Sequence, residues 1–459
     1  MPSPISELYA QQRSFFSSGK SKDIGYRKKA LKKLKQVITQ KEDAICDALY
    51  ADFKKPKFEG LVSETQFVLS ELQYILNNVS FWARPKRVSG SLSSFPSKDW
   101  IQYEPFGTIL VISPWNYPFM LAISPLVGAV AAGNTVVLKP SELSPATSKI
   151  LLEIIAEAFE PGHVTVVEGD AEVSQELLSL KWDYLFFTGS TRVGKIVYKS
   201  AAEQLTPVTL ELGGKNPCIV DDSASIAVAA RRITWGKLLN AGQTCLAPDY
   251  LLVHHSVKEK LIAAIKKSVQ RFYGEDVQSS PHLARIATKK QYDRLKKMLT
   301  DENVIWGGEY NDRDRYIAPT LVDSPALDSE LMQDEIFGPI LPIYSYTTLQ
   351  DLEGFIKRYG KPLALYVFSK RKKFQDHLLG NYAFGGGGIN DCVIHIANKR
   401  MPFGGVGNSG FGGYHGEHSF YLFSHKKAIV KKPFLLDLPM RYPPYKLSDR
   451  ITKRIKHLL

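Results

Sequence analysis

The sequence predicts an α/β protein built on doubly wound, mostly parallel sheets. Short apolar runs of strand length alternate with helical stretches from Gly107 onward, and the alternation starts again near Asn216. Gly, Pro, Ser and Asp punctuate the changes. Strands that alternate with helices pair in parallel, and ligands bind beyond the carboxyl ends of such strands.

The elements follow in order. Ile24–Leu49 places Leu31, Leu34, Ile38, Ile45 and Leu49 at helical spacing, which predicts one amphipathic helix. Thr65–Phe81 also reads as helix. The stretch ARPKRVSGSLSSFPSKDWIQYEPFG (83–107) is either a linker or a projecting hairpin. GTILVIS (107–113) is a buried strand, LAISPLVGAVAAG (121–133) a helix and NTVVLKP (134–140) a strand. SPATSKILLEIIAEAF (144–159) is a helix with Ser144 as its cap. HVTVVEG (163–169) and YLFFTGS (184–190) are further strands. The second series contains NPCIV (216–220), a helix over Ala224–Leu239, DYLLVHH (249–255) and a helix over Ser256–Tyr273. It ends with APTLVD (318–323), LPIYSY (341–346) and PLALYVFS (362–369).

Composition bounds the function. A chain of 459 residues exceeds one ordinary core and predicts two to four domains. With 44% hydrophobic and 23% charged residues it is ordinary globular material. The net charge of +13 favours anionic partners, yet its two dense clusters, Arg27–Lys35 and Lys453–His457, lack interleaved aromatics and read as solvated helix faces. No nucleic-acid motif is present. The four cysteines match neither a zinc site nor a disulfide framework, so a reducing, cytoplasmic compartment is expected. The start of the chain lacks a signal-peptide core. The longest apolar region, Phe119–Ala132, is too short for a membrane span and reads as a buried helix.

Two glycine motifs invite a phosphate reading. Gly405–Gly410 (GVGNSG) fits G-x-G-x-x-G, but Pro402 precedes it, glycines follow and no helix is expected there, so it reads as a structured loop. Gly189–Lys195 (GSTRVGK) lacks the Ser or Thr that a P-loop places after its lysine, because Ile196 stands there. Its strand, turn and helix start still suit an anion on backbone N–H groups.

Three residues carry candidate chemistry. Cys245, in NAGQTC, follows a small polar turn that leaves a thiol accessible, and a reactive thiol needs a lowered pKa or a base. Glu211, between two leucines before Gly213-Gly214, is that base if buried, or a partner of Lys215 if not. Asn116 follows the GTILVIS strand, where a neutral amide either donates to a developing oxyanion or simply shapes a turn between two prolines.

With these residues the chain closely resembles the aldehyde dehydrogenases, and their class 3 branch in particular. The matching stretches are PWNYP (114–118), VLKPSE (137–142), FTGSTRVGK (187–195), LELGGKNP (210–217), NAGQTC (240–245), EIFGP (335–339) and PFGGVGNSGFGGYHG (402–416). They occur in family order. The closing YHG, the RYPP segment (441–444) and Gly388-Ile389-Asn390 look like class 3.

The resemblance implies an aldehyde dehydrogenase-like fold: a Rossmann-type NAD(P)-binding domain (1–84 and 103–210), an α/β catalytic domain (211–414), an oligomerisation arm (85–102 and 415–440) and a C-terminal tail (441–459). It implies that Cys245 is the nucleophile, Asn116 an oxyanion donor and Glu211 the base for thioester hydrolysis, with no metal. Trp115, Lys139, Glu142, Gly189, Ser190, Gly194, Leu212, Gly213, Glu335 and Phe337 would serve the cofactor, NAD in preference to NADP. Tyr117, Phe119, Leu239, Ile394, His395 and Ile396 would line the entrance for apolar aldehydes. A homodimer is implied. The tail LSDRITKRIKHLL (447–459) is either a short docked helix or a peripheral membrane contact. Relatives that pass the acyl group to coenzyme A usually lack the equivalent of Glu211, so its presence favours hydrolysis. The complete set of Cys245, Glu211 and Asn116 argues against a binding protein without activity.

Overall fold

The computed structural model describes residues 3–91, 94–435 and 441–444, so the tail beyond Pro444 lies outside the described residues. The N-terminal part is helical. The helix expected over Ile24–Leu49 is two helices, Ile24–Gln40 and Glu42–Phe53, because Lys41 leaves helical geometry at φ −102° and ψ 14°. The apolar rhythm survives the break, and Leu31, Leu34, Ile38, Ile45 and Leu49 all remain buried. A first helix, Pro4–Ser17, adds to this layer.

The stretch that read as linker or hairpin is a hairpin. Strand β1 (Lys86–Val88) pairs antiparallel with β2 (Lys98–Pro105). A late strand, Ser424–Lys431, pairs along the whole of β2 and completes a three-stranded sheet.

The first alternating series forms a six-stranded sheet. Its strands in chain order are β3 (Thr108–Ile112), β4 (Thr135–Lys139), β5 (Val164–Val166), β6 (Tyr184–Thr188) and β7 (Val208–Glu211), joined by the two-residue strand Gly410–Phe411. The spatial order is Gly410–Phe411, β7, β6, β3, β4, β5, with only the first pair antiparallel. Covered on both faces, β4 and β6 bury every residue, as parallel strands must. The helix Met120–Ala132 is buried all round, and among the described residues no helix is long and apolar enough to cross a membrane.

The second series forms a seven-stranded sheet. It begins with β8 (Pro217–Val220) and β9 (Tyr250–His254), which pair in parallel. The later strands Thr320–Asp323, Ile340–Tyr346, Ala364–Phe368 and Gly386–Ile389 extend it in parallel, and Val304–Trp306 closes one edge antiparallel.

Ser144 is not the side-chain cap of the helix Pro145–Ala158: its hydroxyl turns back to the Ser141 carbonyl. The cap is the Asp52 carboxylate, which accepts from the Ala146 and Thr147 N–H groups at 2.9 Å and from the Thr147 hydroxyl at 2.7 Å. A carboxylate satisfies the free donors of a helix start and also complements its positive end.

Candidate active site

The catalytic candidates converge from three elements. Asn116 stands four residues beyond the carboxyl end of β3. Glu211 is the last residue of β7, opposite Gly410. Cys245 follows the tight turn Leu239–Gly242, in which Asn240 and Ala241 take left-handed conformations with φ 56° and 53°. Left-handed backbone is costly for non-glycine residues and persists where surrounding contacts enforce it. Here Asn240 donates its amide to the Asn116 carbonyl at 2.8 Å, and the Gln243 side chain bonds the Asn240 and Arg285 carbonyls at 3.0 Å and accepts from the Ala287 N–H at 2.9 Å.

Glu211 is buried, and neither carboxylate oxygen has a hydrogen-bond partner among the described residues. Burial alone pushes its pKa well above the usual carboxylate range. Lys215, the alternative partner expected from the sequence, is engaged elsewhere: its ammonium contacts Asp249 at 2.6 Å and the Leu331 and Asp334 carbonyls at 3.0 Å. Gly404 helps to keep Glu211 free, since a Cβ there would lie 3.1 Å from its Oε1.

Cys245 keeps partial exposure, and it is a free thiol. Enclosure raises its pKa, and the nearby Glu335 and Glu211 charges raise it further. The N–H groups of Cys245 itself and of Leu246 act the other way, hydrogen-bonding the sulfur. Asn116 is buried, and its Nδ2 donates to the Gln243 carbonyl at 3.0 Å. That amide nitrogen carries two N–H groups, so one donor is left for a ligand.

The cofactor candidates fall at the same edge of the first sheet. Lys139 ends β4; its buried amine donates to the Pro140 carbonyl at 2.9 Å and to the Glu142 carboxylate at 2.8 Å. Glu142 is 46% exposed. Gly189 and Ser190 follow β6, and the Ser190 hydroxyl caps the helix Thr191–Glu203 by accepting from the Val193 N–H. Gly194 lets that helix approach Leu212, whose Cδ2 would stand 2.7 Å from a Cβ. At Gly213 a Cβ would overlap the Glu335 carboxylate. Burial first, then the Asp249 charge, raise Glu335 to about 8, against a hydrogen bond from the Gly214 N–H. Trp115 packs edge-on against Phe337 with ring centroids 5.4 Å apart, which joins the Asn116 turn to the Glu335 loop.

The expected entrance residues divide. Leu239, His395 and Ile396 are partly buried and Ile394 is 51% exposed. The two His395 ring nitrogens lack partners among the described residues, and burial lowers its pKa to about 4. Tyr117 is buried with its hydroxyl 2.7 Å from Thr244 Oγ1. Phe119 does not reach the surface: it is wholly enclosed in the core, where the apolar packing under the helix Met120–Ala132 claims it.

Two buried side chains and one partly buried one behind the site escape sequence reasoning. Lys55 and Glu64 form an ion pair at 2.6 Å with no exposure, and Glu59 accepts from the Asn240 N–H at 3.0 Å. Charged residues in KKPKFEGLVSET read as a solvated face, and nothing in their spacing signals burial.

Comparison with known proteins identifies the family. The aldehyde dehydrogenase family model matches residues 5–429. The chain is 46% identical over 444 residues to 4,4'-diaponeurosporen-aldehyde dehydrogenase of Staphylococcus aureus, covering 96% of this chain and 97% of that protein. It is 40% identical to the dimeric NADP-preferring aldehyde dehydrogenase of Canis lupus familiaris, covering 96% of this chain and 98% of the relative. A solved structure of the substrate-bound state of Staphylococcus aureus AldH superposes with TM-score 0.97 at 45% identity, over 99% of this chain and 100% of that one. A family match over nearly the whole chain, at these identities, means that the protein belongs to the aldehyde dehydrogenase family and is an oxidoreductase.

Proposed function

We propose that this enzyme oxidises apolar aldehydes to carboxylic acids, holding the substrate covalently on Cys245 and directing water with Glu211. The observation that carries this reading is a partly exposed thiol beside a buried carboxylate that has no partner of its own. An unpaired buried carboxylate is costly unless it has work to do on a ligand.

Cys245 releases its proton to solvent and its sulfur attacks the aldehyde carbon. The carbonyl oxygen becomes an oxyanion, for which the Cys245 N–H and the second Asn116 N–H are the donors. A nicotinamide dinucleotide, when bound, would supply the acceptor for the hydride that leaves this carbon, and the acyl group would remain on sulfur as a thioester. Glu211 then takes a proton from water as the water oxygen attacks the acyl carbon. The carbon–sulfur bond breaks, the acid departs, and Glu211 passes its proton to the leaving sulfur, which restores the thiol.

The residues fit such a cofactor. The helix start capped by Ser190 suits a pyrophosphate. Glu142, held by Lys139 and open to solvent, suits ribose hydroxyls and opposes a 2′-phosphate. NAD is therefore preferred. NADP is the second choice, because the Lys139 amine lies beside that carboxylate and one relative is named NADP-preferring. Gly189, Gly194, Leu212 and Gly213 would let the dinucleotide lie close to the backbone, and Trp115, Glu335 and Phe337 would hold its nicotinamide end.

The apolar side chains of Leu239, Ile394 and Ile396, together with the isoprenoid-like aldehyde in the name of the Staphylococcus aureus relative, support a long or aromatic apolar substrate. We assign the domains at the boundaries given above. The arm formed by β1, β2 and Ser424–Lys431 is our candidate for a homodimer contact. Cytoplasmic location and a peripheral membrane contact of the tail complete the reading.

The test is reduced-cofactor formation across aldehydes of increasing chain length, with NAD and NADP compared and coenzyme A absent. Rapid reduction that rises toward long or aromatic aldehydes is the expected result. Reduction that begins only when coenzyme A is added would overturn the role of Glu211.

A further inference from the structure

We propose that Glu64, neutralised by Lys55, is a positioning residue for Asn116. The inference rests on the oxyanion role given to Asn116 above.

The geometry is a buried strut. Glu64 Oε2 accepts from the N–H groups of Phe119 and Met120 at 3.1 and 2.8 Å, immediately downstream of Asn116. These are free donors at the start of the helix Met120–Ala132, which has no side-chain cap and no acidic residue in its first turn. Glu64 is therefore the cap of that helix, supplied from a distant segment. Its other oxygen takes the Lys55 ammonium at 2.6 Å. Both side chains have no exposure. The same ammonium lies 3.9 Å from the Tyr117 ring centroid, and the Tyr117 hydroxyl contacts Thr244, the neighbour of Cys245. The pair thus grips the Asn116 turn from below and touches the Cys245 turn through one ring.

A second observation agrees. Glu64 lies in the π-helical segment Leu61–Thr65, between the helix Lys57–Gly60 and the helix Gln66–Trp82. Such bulges are uncommon and concentrate at functional sites. Glu59, one turn earlier, holds the Asn240 N–H of the Cys245 turn. One short segment therefore braces both loops that carry the reacting groups.

The alternative is that the pair only stabilises the fold. Stability would leave kcat intact in any variant that folds, whereas positioning acts on the transition state through Asn116 and is lost when Asn116 is absent. The experiment is a double-mutant cycle of Glu64→Gln with Asn116→Ala, read as kcat, KM and thermal midpoint. We expect Glu64→Gln to lower kcat about 10- to 100-fold with KM changed less than threefold. In the Asn116→Ala background the same substitution is expected to cost less than threefold. Equal losses in both backgrounds, or wild-type kcat in folded Glu64→Gln, would overturn the positioning role. Asn116→Ala within tenfold of wild type would overturn the oxyanion role, and the positioning role with it. If Glu64→Gln does not fold, Lys55→Met/Glu64→Gln enters the same cycle, since it keeps an acceptor for the two N–H groups and leaves no buried charge unpaired. Its expected pattern and its refuting pattern are the same.

Discussion

Glu211→Gln is the substitution on which the reading of the site turns. The exchange replaces one carboxyl oxygen with an amide at almost constant volume. No hydrogen bond is lost, because neither carboxylate oxygen has a partner among the described residues. Burial holds the native pKa well above the ordinary 4.5, so the unfolded chain ionises first as pH rises. The stability this group contributes is fully present below about 4.5 and is lost as pH climbs toward the native value. Each pH unit in that window costs the native state about 1.4 kcal/mol. The amide escapes this cost. Calorimetry should find equal thermal midpoints near pH 4 and a variant increasingly more stable than wild type as pH rises. Activity moves in the opposite direction. Without a base to take the proton from water, steady turnover should fall by about 10²–10⁴. The first turnover should still give a rapid burst of reduced cofactor, equivalent to the Cys245 sites, because the block lies at thioester hydrolysis. A variant with steady turnover within tenfold of wild type, or one without a burst, would refute the assignment.

Three further outcomes follow from the same geometry. Gly213→Ala forces the Glu335 carboxylate aside, so calorimetric titration should find weaker cofactor binding while Cys245 still reacts with iodoacetamide. Glu335→Gln removes the larger of the two charges that oppose thiolate formation, so the iodoacetamide rate at Cys245 should reach its plateau at lower pH than in wild type. Asp249→Ala leaves the Lys215 ammonium buried without its carboxylate and frees the Ile336 N–H, which should destabilise the fold by about 3–5 kcal/mol in denaturant unfolding.

Local physics made much of the design legible. The strand within GTILVIS (107–113) and the small polar turn before Cys245 are short-range features, and the alternation of apolar runs announces both parallel sheets. What stayed hidden depends on contacts between distant segments. The helix Pro145–Ala158 is capped from Asp52, so Ser144 misled by proximity. The break at Lys41 is invisible because the helices on either side share one apolar face. Whether Glu211 pairs with Lys215 was undecidable until Asp249 was seen to hold that lysine. The glycine motif Gly405–Gly410 starts no helix; it makes a turn at Gly407–Ser409 and a two-residue strand against β7. Lys55 and Glu64 show the general difficulty: a buried ion pair and an exposed one have the same letters.

The electrostatics of the site follow from where its cations go. Lys215 is committed to Asp249, Lys139 to Glu142 and Lys55 to Glu64. Lys237 is buried without a partner among the described residues, and burial lowers it to about 8. No side-chain cation is thus spent on the thiol, whose stabilising neighbours are the N–H groups of Cys245 and Leu246. Glu211 and Glu335 are themselves raised by burial, Glu335 to about 8, so each gives up its proton less readily than an exposed carboxyl. Charge on either carboxylate opposes ionisation of the Cys245 thiol, Glu335 more than Glu211. A site of this kind, with no side-chain cation beside the thiol among the described residues, suits a neutral aldehyde. It also reserves its few oriented donors for the negative charge that appears during reaction, where they lower the barrier most.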